Sequence, residues 1–126
     1  MDLGLDGRTA LVCASTGGLG RATAEALAAE GARVVVSGRR ADLAGQIAAG
    51  LQGAVAVPVD VTAPGAAADL VDAARRELGA DLDIVVLNGP GPKPAGATGI
   101  GEDDLRAALE ALLVFHQGLV ARVLPG

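Results

Sequence analysis

The fold is decided by the stretch Thr9-Ala10-Leu11-Val12-Cys13-Ala14-Ser15-Thr16-Gly17-Gly18-Leu19-Gly20. Its first six residues form a short, largely apolar run that is too brief for a helix and predicts a buried strand. The glycines that follow predict a tight turn. A helical spacing then begins, carried by Leu19, Thr23, Ala26, Leu27 and Glu30 and closed by Gly31. A strand, a glycine turn and a helix in this order open a βαβ unit whose free amides and helix dipole favour a bound phosphate.

Short apolar runs and helical windows alternate along the rest of the chain. Further strands are predicted at 33–37, 54–59 and 83–87, and Pro58 indicates that the third strand lies at a sheet edge. Asp42 is expected to cap the second helix, and Thr62, with Pro64 just inside, to open the third.

Each predicted helix carries an apolar stripe. The second helix has Leu43, Ile47 and Leu51, and the third has Leu70, Val71, Ala74 and Leu78 before Gly79. The last helix, from about 102 to 124, is predicted to bury one face formed by Leu105, Leu109, Leu112, His116, Leu119 and Val123.

This order of elements predicts an α/β fold made of one domain spanning residues 1–126. Apolar strands separated by helices indicate a parallel sheet with helices on both faces. Right-handed crossovers give a strand order of 3-2-1-4. We therefore expect a Rossmann-type doubly wound sheet that is incomplete, with about four strands.

Composition narrows the function classes. The net charge is −5 with no run of like charge, which argues against nucleic acid and anionic membranes as partners. The single cysteine, Cys13, allows no internal disulfide and is expected to be a buried small hydrophobe. Neither a signal peptide nor an apolar run of roughly 18 residues is found, so a soluble cytoplasmic protein is expected. Asp103 and Asp104 suit a first helical turn, and no metal site is predicted.

Four separated segments resemble the short-chain dehydrogenases/reductases. The glycine motif of that family, TGxxxGxG, is matched by Cys13-Ala14-xxx-Gly18-x-Gly20, with Cys-Ala in place of Thr-Gly. The other matches, in order, are Asp60-Val61, Leu87-Asn88-Gly89-Pro90 and the helix ending Val123-Leu124-Pro125. The resemblance covers essentially the whole chain and about the first half of a typical member, of a type similar to 3-oxoacyl-ACP reductases.

The resemblance implies a dinucleotide site and no catalytic residue. Asp60 would contact the adenine ring, although it can equally be a turn residue before Thr62, and Asn88 would support the fourth strand and line the adenosine pocket. The implied cofactor-binding residues are Ala14, Ser15, Thr16, Gly18, Leu19, Gly20, Arg39, Arg40, Asp60, Val61, Asn88 and Gly89.

The charge pattern after the second strand favours NADP(H) over NAD(H). NAD-preferring relatives carry an acid about 20 residues past the glycine turn, where this chain has Gly38 followed by Arg39 and Arg40. A guanidinium can bind a 2′-phosphate through two hydrogen bonds. The alternative is that both arginines are solvated residues of a surface turn.

The family reduces carbonyls with a Ser, Tyr and Lys and usually an Asn, and this chain lacks that set. It has no tyrosine, its one lysine is Lys93 in a Gly/Pro-rich loop, and Leu112 occupies the asparagine position counted back from Pro125. The Ser and the Tyr/Lys pair belong beyond residue 126. His116 lies within an apolar stripe and is interpreted as a packed or partner-facing residue.

Three hypotheses follow. The chain is a fragment or shortened form of an NADP-dependent oxidoreductase, a non-catalytic nucleotide-binding or interaction module, or a receiver-like signalling domain. A receiver needs an acidic pair after its first strand, where this chain has Ala14-Ser15. The half-fold is also expected to expose the edge of its fourth strand and part of its last helix, through which a second copy or a completing chain could bind.

Overall fold

The computed structural model describes residues 2–89 and 94–124. Strands and helices alternate in the order β1 (Thr9–Val12), α1 (Gly18–Ala29), β2 (Arg33–Gly38), α2 (Ala41–Ala49), β3 (Val55–Pro58), α3 (Ala66–Leu78) and β4 (Ile84–Val86). One further long helix follows and has three parts, α4 (Glu102–Leu109), a π-helical segment (Glu110–Val114) and α5 (Phe115–Val123).

The four strands form one parallel sheet in the order β3-β2-β1-β4, which confirms the predicted topology. Pro58 ends the edge strand β3, where its missing N–H costs no hydrogen bond to a further strand. The amino ends of β1 and β4 are joined by two hydrogen bonds between Thr9 and Asp83. The Thr9 N–H donates to Asp83 Oδ2 at 3.0 Å, and the Asp83 N–H donates to the Thr9 carbonyl at 3.1 Å.

Helices cover both faces of the sheet, as predicted. Alternate residues of β1 point to opposite faces, so Leu11 and Cys13 join a core with α3 and α5, while Ala10 and Val12 join a core with α1 and α2. The many alanines let helices approach closely. At Gly118 the approach is closer still, because a Cβ there would lie only 2.9 Å from Ala67 Cβ on α3.

Helix starts were predicted less well than helix faces. The helix α2 begins at Ala41 with Arg40 in the extended N-cap position, so Asp42 lies in the first turn and caps nothing. The prediction that Thr62 opens the third helix was also wrong. That helix begins at Ala66 after Gly65, whose φ is +71°, because residues 60–65 form turns of their own. The stripes on α2 and α3 pack on the sheet, as the spacing predicts.

The predicted buried face of the last helix was wrong in its first half. Leu105 and Leu109 remain 48% and 46% exposed, and α4 buries no residue. The buried side chains of this helix are Ala111, Phe115 and Leu119, and the last two join the core with α3. The π-helical segment explains part of the difference, since its wider turn rotates the residues after it relative to an uninterrupted 3.6-residue period.

Candidate functional site

The turn between β1 and α1 is held in an unusual backbone conformation. Ala14 has φ +50° and is the one non-glycine residue with positive φ in the described part of the chain. Gly17 is the N-cap of α1 and offers no side chain to the helix. The first helical bond runs from the Arg21 N–H to the Gly17 carbonyl at 3.2 Å, which leaves the amides before it without an intrahelical acceptor. The turn therefore offers amides and the positive end of a helix dipole to an anion.

Gly20 brings the helix against the turn. A Cβ at this position would lie 2.0 Å from the Ala14 carbonyl oxygen and 2.8 Å from Asn88 Nδ2. No larger residue fits without a backbone shift. The side chain of Leu19, in contrast, is 83% exposed in the first turn of the same helix.

Ser15 has a structural role in the turn. Its hydroxyl donates to the Val12 carbonyl at 2.8 Å and accepts the Ser37 N–H at 2.8 Å, and its own N–H donates to the Ser37 carbonyl at 2.8 Å. The side chain is fully buried. Ser15 thus joins the ends of β1 and β2 and fixes where the turn begins.

Thr16 packs over Gly38 at the end of β2. A Cβ at residue 38 would lie 2.5 Å from Thr16 Cγ2 and 3.0 Å from Thr16 Oγ1. Side chains at residue 38 are therefore excluded while Thr16 keeps this position. Arg39 and Arg40 follow on the surface, and Arg40 Nη2 lies 3.7 Å from Asp42 Oδ2 in an exposed, weak ion pair.

Asp60 forms a turn with Thr62 after β3. Its Oδ1 accepts the Thr62 hydroxyl at 2.6 Å and the Thr62 N–H at 3.0 Å. These two bonds, with a smaller contribution from the charge of Arg39, lower the pKa of the Asp60 carboxyl below 3.8. The turn interpretation of Asp60 is thus observed, while a contact with adenine stays a prediction. Val61 is half-buried and lines a groove of about 560 Å³ between the start of α3 and the last helix.

Asn88 connects β4 to the glycine turn. Its side-chain amide donates to the carbonyls of Ala14 at 3.3 Å and Cys13 at 3.4 Å. Burial raises the pKa of the Cys13 thiol to about 11, although a hydrogen bond with the Asn88 backbone partly opposes the rise. The expected burial of Cys13 is confirmed.

All the predicted site residues follow the carboxyl ends of the four parallel strands. The turn at 13–20 follows β1, Arg39 follows β2, Asp60 follows β3 and Asn88 follows β4. They therefore meet at the edge of the sheet formed by the carboxyl ends of the strands. The strand order reverses there, because β2 and β4 lie on opposite sides of β1, and this is the place where open α/β sheets bind ligands.

Two residues beside this edge were not assigned to the site from sequence. His116 Nε2 lies 3.3 Å from the Asn88 carbonyl oxygen. Leu112 Cδ2 lies 2.7 Å from where a Cβ on Gly89 would be, so a side chain at residue 89 would have to displace the end of the Leu112 side chain. The one-turn spacing of Leu112 and His116 on the last helix was a signal for a shared face, but not for the segment that the face contacts.

The described residues contain neither of two further features, a metal-ligand cluster and a membrane-spanning helix. Residues 2–89 and 94–124 contain no group of three or more His, Cys, Asp or Glu side chains that could hold a metal ion. No helix within these ranges is both long enough and apolar enough to cross a bilayer. Lys93 and Pro90 lie outside the described residues.

The parallel sheet, its strand order and the glycine turn define a Rossmann-type nucleotide-binding fold. Residues 8–114 match the family model described as short chain dehydrogenase, and the chain belongs to that family. The family resemblance of the sequence is thereby confirmed, and the solved structures that this chain resembles include a 3-oxoacyl (acyl-carrier-protein) reductase from Agrobacterium tumefaciens, which is 31% identical with a TM-score of 0.86 over 96% of this chain and 48% of its own.

Solved structures and one curated relative agree with the family. An L-sorbose reductase from Gluconobacter frateurii, complexed with NADPH and L-sorbose, is 28% identical with a TM-score of 0.90 over 99% of this chain and 49% of its own. A 7α-hydroxysteroid dehydrogenase complexed with NADH is 32% identical with a TM-score of 0.87 over 96% of this chain and 48% of its own. An uncharacterised oxidoreductase of Bacillus subtilis is 52% identical over 46 residues, which are 36% of this chain and 17% of that protein.

The chain therefore spans about half the length of these solved relatives.

Proposed function

We propose that this chain is the dinucleotide-binding portion of a short-chain oxidoreductase. The observation that carries the proposal is the start of α1, which has no side-chain cap and lies at the carboxyl ends of the strands. Gly20 lets this helix start pack closely against the backbone that follows β1. A pyrophosphate would accept hydrogen bonds from the backbone amides of residues 18–20. The exposed side chain of Leu19 would gain cover from such a ligand.

The described residues fit a dinucleotide. Gly17 and Gly18 have nothing within 4 Å of an added Cβ, so the space in front of the helix start is open. Asp60 and Val61 on one side, and Asn88 and Gly89 on the other, would hold the adenosine. The cofactor, when bound, would supply hydride chemistry, and the residues of this chain would bind and orient it.

NADP(H) is the proposed cofactor in preference to NAD(H). Residue 38 is a glycine packed under Thr16, so it offers no carboxylate to accept a ribose hydroxyl or to repel a 2′-phosphate. Arg39 is exposed next to this position and available to a phosphate. Because the relatives described above include one with NADPH and one with NADH, the preference rests on these residues of this chain.

We further propose that these residues alone catalyse no carbonyl reduction. A ketone accepting hydride develops negative charge on its oxygen, which needs a positioned acid. The sequence has no tyrosine, and Leu112 stands where the family has an asparagine. Assays of NADPH oxidation with a ketone panel should show no turnover. The replacement by Leu112 equally favours a second candidate function, a nucleotide-binding or interaction module without catalysis.

Binding to a second copy or to a completing chain is part of the proposal. The strand β4 has one sheet neighbour, β1, among the described elements, and its three residues are only half-buried. Exposed apolar side chains also lie on the last helix, among them Leu109 and Leu113 at 46% and 61%. A cytoplasmic location is proposed as well, because the single cysteine is a free thiol.

Matched substitutions at two helix N-caps test the binding site. Gly17→Asp places a carboxylate at the start of α1, where an added Cβ meets nothing within 4 Å, so it should cap the helix and repel a pyrophosphate. Gly101→Asp makes the same change at the N-cap of α4, which also has open space. Calorimetry with NADPH should show at least a tenfold loss for Gly17→Asp and none for Gly101→Asp. The proposal fails if the unmodified chain binds no dinucleotide. It also fails if Gly17→Asp binds NADPH with the same affinity as the unmodified chain.

A further inference from the structure

His116 contacts the segment after β4 through its ring. Nε2 lies 3.3 Å from the Asn88 carbonyl oxygen, and the ring is tilted by 50° against Phe115 with 5.8 Å between centroids. A carbonyl only accepts hydrogen bonds, so Nε2 must carry the proton in this contact. His116 therefore donates to the backbone of a residue that touches the glycine turn.

Asn88 continues the contact to the turn itself. Its side-chain amide donates to the Ala14 and Cys13 carbonyls, and the Ala14 carbonyl in turn lies against Gly20 at the start of α1. Ala14 has a left-handed backbone that an alanine seldom adopts, so its conformation depends on what surrounds it. The hydrogen bonds thus run from α5 through Asn88 to the one strained residue of the turn.

We propose that His116 is a positioning residue for the dinucleotide site. By holding the Asn88 carbonyl, it keeps the Asn88 amide on Ala14 and so keeps the turn in the conformation that faces the ligand. The role in binding rests on the proposed function, while the role in holding the segment does not. The alternative is that His116 only packs beside Phe115 and Gly89 and does not affect the conformation of the turn.

Cys13 reports on this contact without any ligand. It is the single cysteine of the sequence, it is buried on the same face of the sheet as Phe115, and its backbone carbonyl accepts the Asn88 side-chain amide at 3.4 Å. A thiol in this state reacts with a disulfide reagent only when its cover opens. The labelling rate therefore measures how often the residues around Cys13, the Asn88 segment and Phe115 among them, move away from it.

The experiment compares four forms of the chain by labelling with a dithiobis-nitrobenzoate reagent and by calorimetric titration with NADPH. His116→Leu removes the donor and keeps an apolar side chain, while His116→Gln keeps an N–H donor. Gln117→Leu, at the exposed neighbouring position, is the control. We expect His116→Leu to label about five- to tenfold faster, and to bind NADPH several-fold more weakly. His116→Gln and Gln117→Leu should stay within about twofold of the unmodified chain.

Low urea concentrations separate local opening from loss of stability. A local opening exposes little surface, so the faster labelling of His116→Leu should not depend on urea, whereas labelling through global unfolding should rise with it. Equal rates for the Leu and Gln variants, a normal rate for His116→Leu, or a urea-dependent acceleration would each overturn the proposal. Faster labelling with unchanged NADPH affinity would overturn the role in binding. If the unmodified chain binds no NADPH, the proposed function fails and the labelling still decides whether His116 holds the segment.

Discussion

The Ala14 carbonyl oxygen occupies the place where a side chain on residue 20 would begin, 2.0 Å from an ideal Cβ. The contact joins the backbone at the end of β1 to the first turn of α1. Since both partners are held by main-chain geometry, neither can move aside at small cost.

Gly20→Ala should therefore destabilise the chain by about 2–4 kcal/mol and abolish dinucleotide binding, because α1 must move away from β1. Urea unfolding and calorimetry measure the two effects. Gly45→Ala is the matched control, since it lies inside α2 with nothing within 4 Å of an added Cβ. That change should stabilise the chain by about 0.5–1 kcal/mol. Equal effects of the two substitutions would contradict the contact.

Ala14→Gly should stabilise the chain by about 1 kcal/mol, because glycine adopts the positive φ of this residue without strain. The same change at Ala26, an exposed position within α1, should cost about 1 kcal/mol. Opposite signs in urea unfolding are thus expected from one chemical substitution. A loss of stability at both positions would mean that the turn does not require a left-handed residue.

Arg39→Ala should remove most of the preference for NADPH over NADH. One guanidinium–phosphate contact provides on the order of ten- to a hundredfold discrimination. Arg76→Ala, at an exposed arginine near the end of α3, removes the same charge and should leave the preference unchanged. Titrations with both cofactors check this, and equal affinities in the unmodified chain would refute the assignment.

Asp60→Asn should reduce stability at neutral pH, with a difference that disappears in acid. The Thr62 hydroxyl and amide lower the pKa of the folded carboxyl, so its contribution is complete above the ordinary value of 3.8 and is lost as the pH falls through the lower folded value. Unfolding of both forms over a range of acidic pH measures the difference. Thr62→Val removes the hydroxyl donor and should weaken the pH dependence. A difference that does not change with pH would contradict the assigned hydrogen bonds.

Leu109→Glu combined with Leu113→Glu should reduce self-association of the chain, because both side chains are exposed and apolar on the last helix. Leu3→Glu changes an equally exposed leucine near the N-terminus and should have little effect. Light scattering at several concentrations compares the three forms. A monomeric unmodified chain would contradict the proposed interface.

Sequence periodicity predicted what depends on local pattern and on chirality. The strand order, the buried stripe of α3 and the left-handed Gly31 all follow from spacing and residue type. The start of α3 and the exposed side of α4 could not be predicted in this way. The former depends on the hydrogen bond between Thr62 and Asp60, and the latter on a π-helical turn and on contacts with α3.

In the candidate site, too, local features could be predicted from the sequence and contacts between distant residues could not. Glycine spacing located the turn, and its close packing at Gly20 is observed. Which atoms Ser15, Asn88 and His116 would contact depends on residues more than 20 positions away, so their partners became visible only in the fold.

The overlap between Thr16 and the space above Gly38 makes the two positions epistatic. An acid introduced at residue 38 to switch the chain toward NAD(H) would overlap Thr16, so the Thr16 side chain has to turn away before a carboxylate reaches a ribose. A smaller residue at 16 removes that requirement. The effect of an acid at 38 on cofactor choice should therefore depend on which residue stands at 16, both in laboratory redesign and in natural divergence.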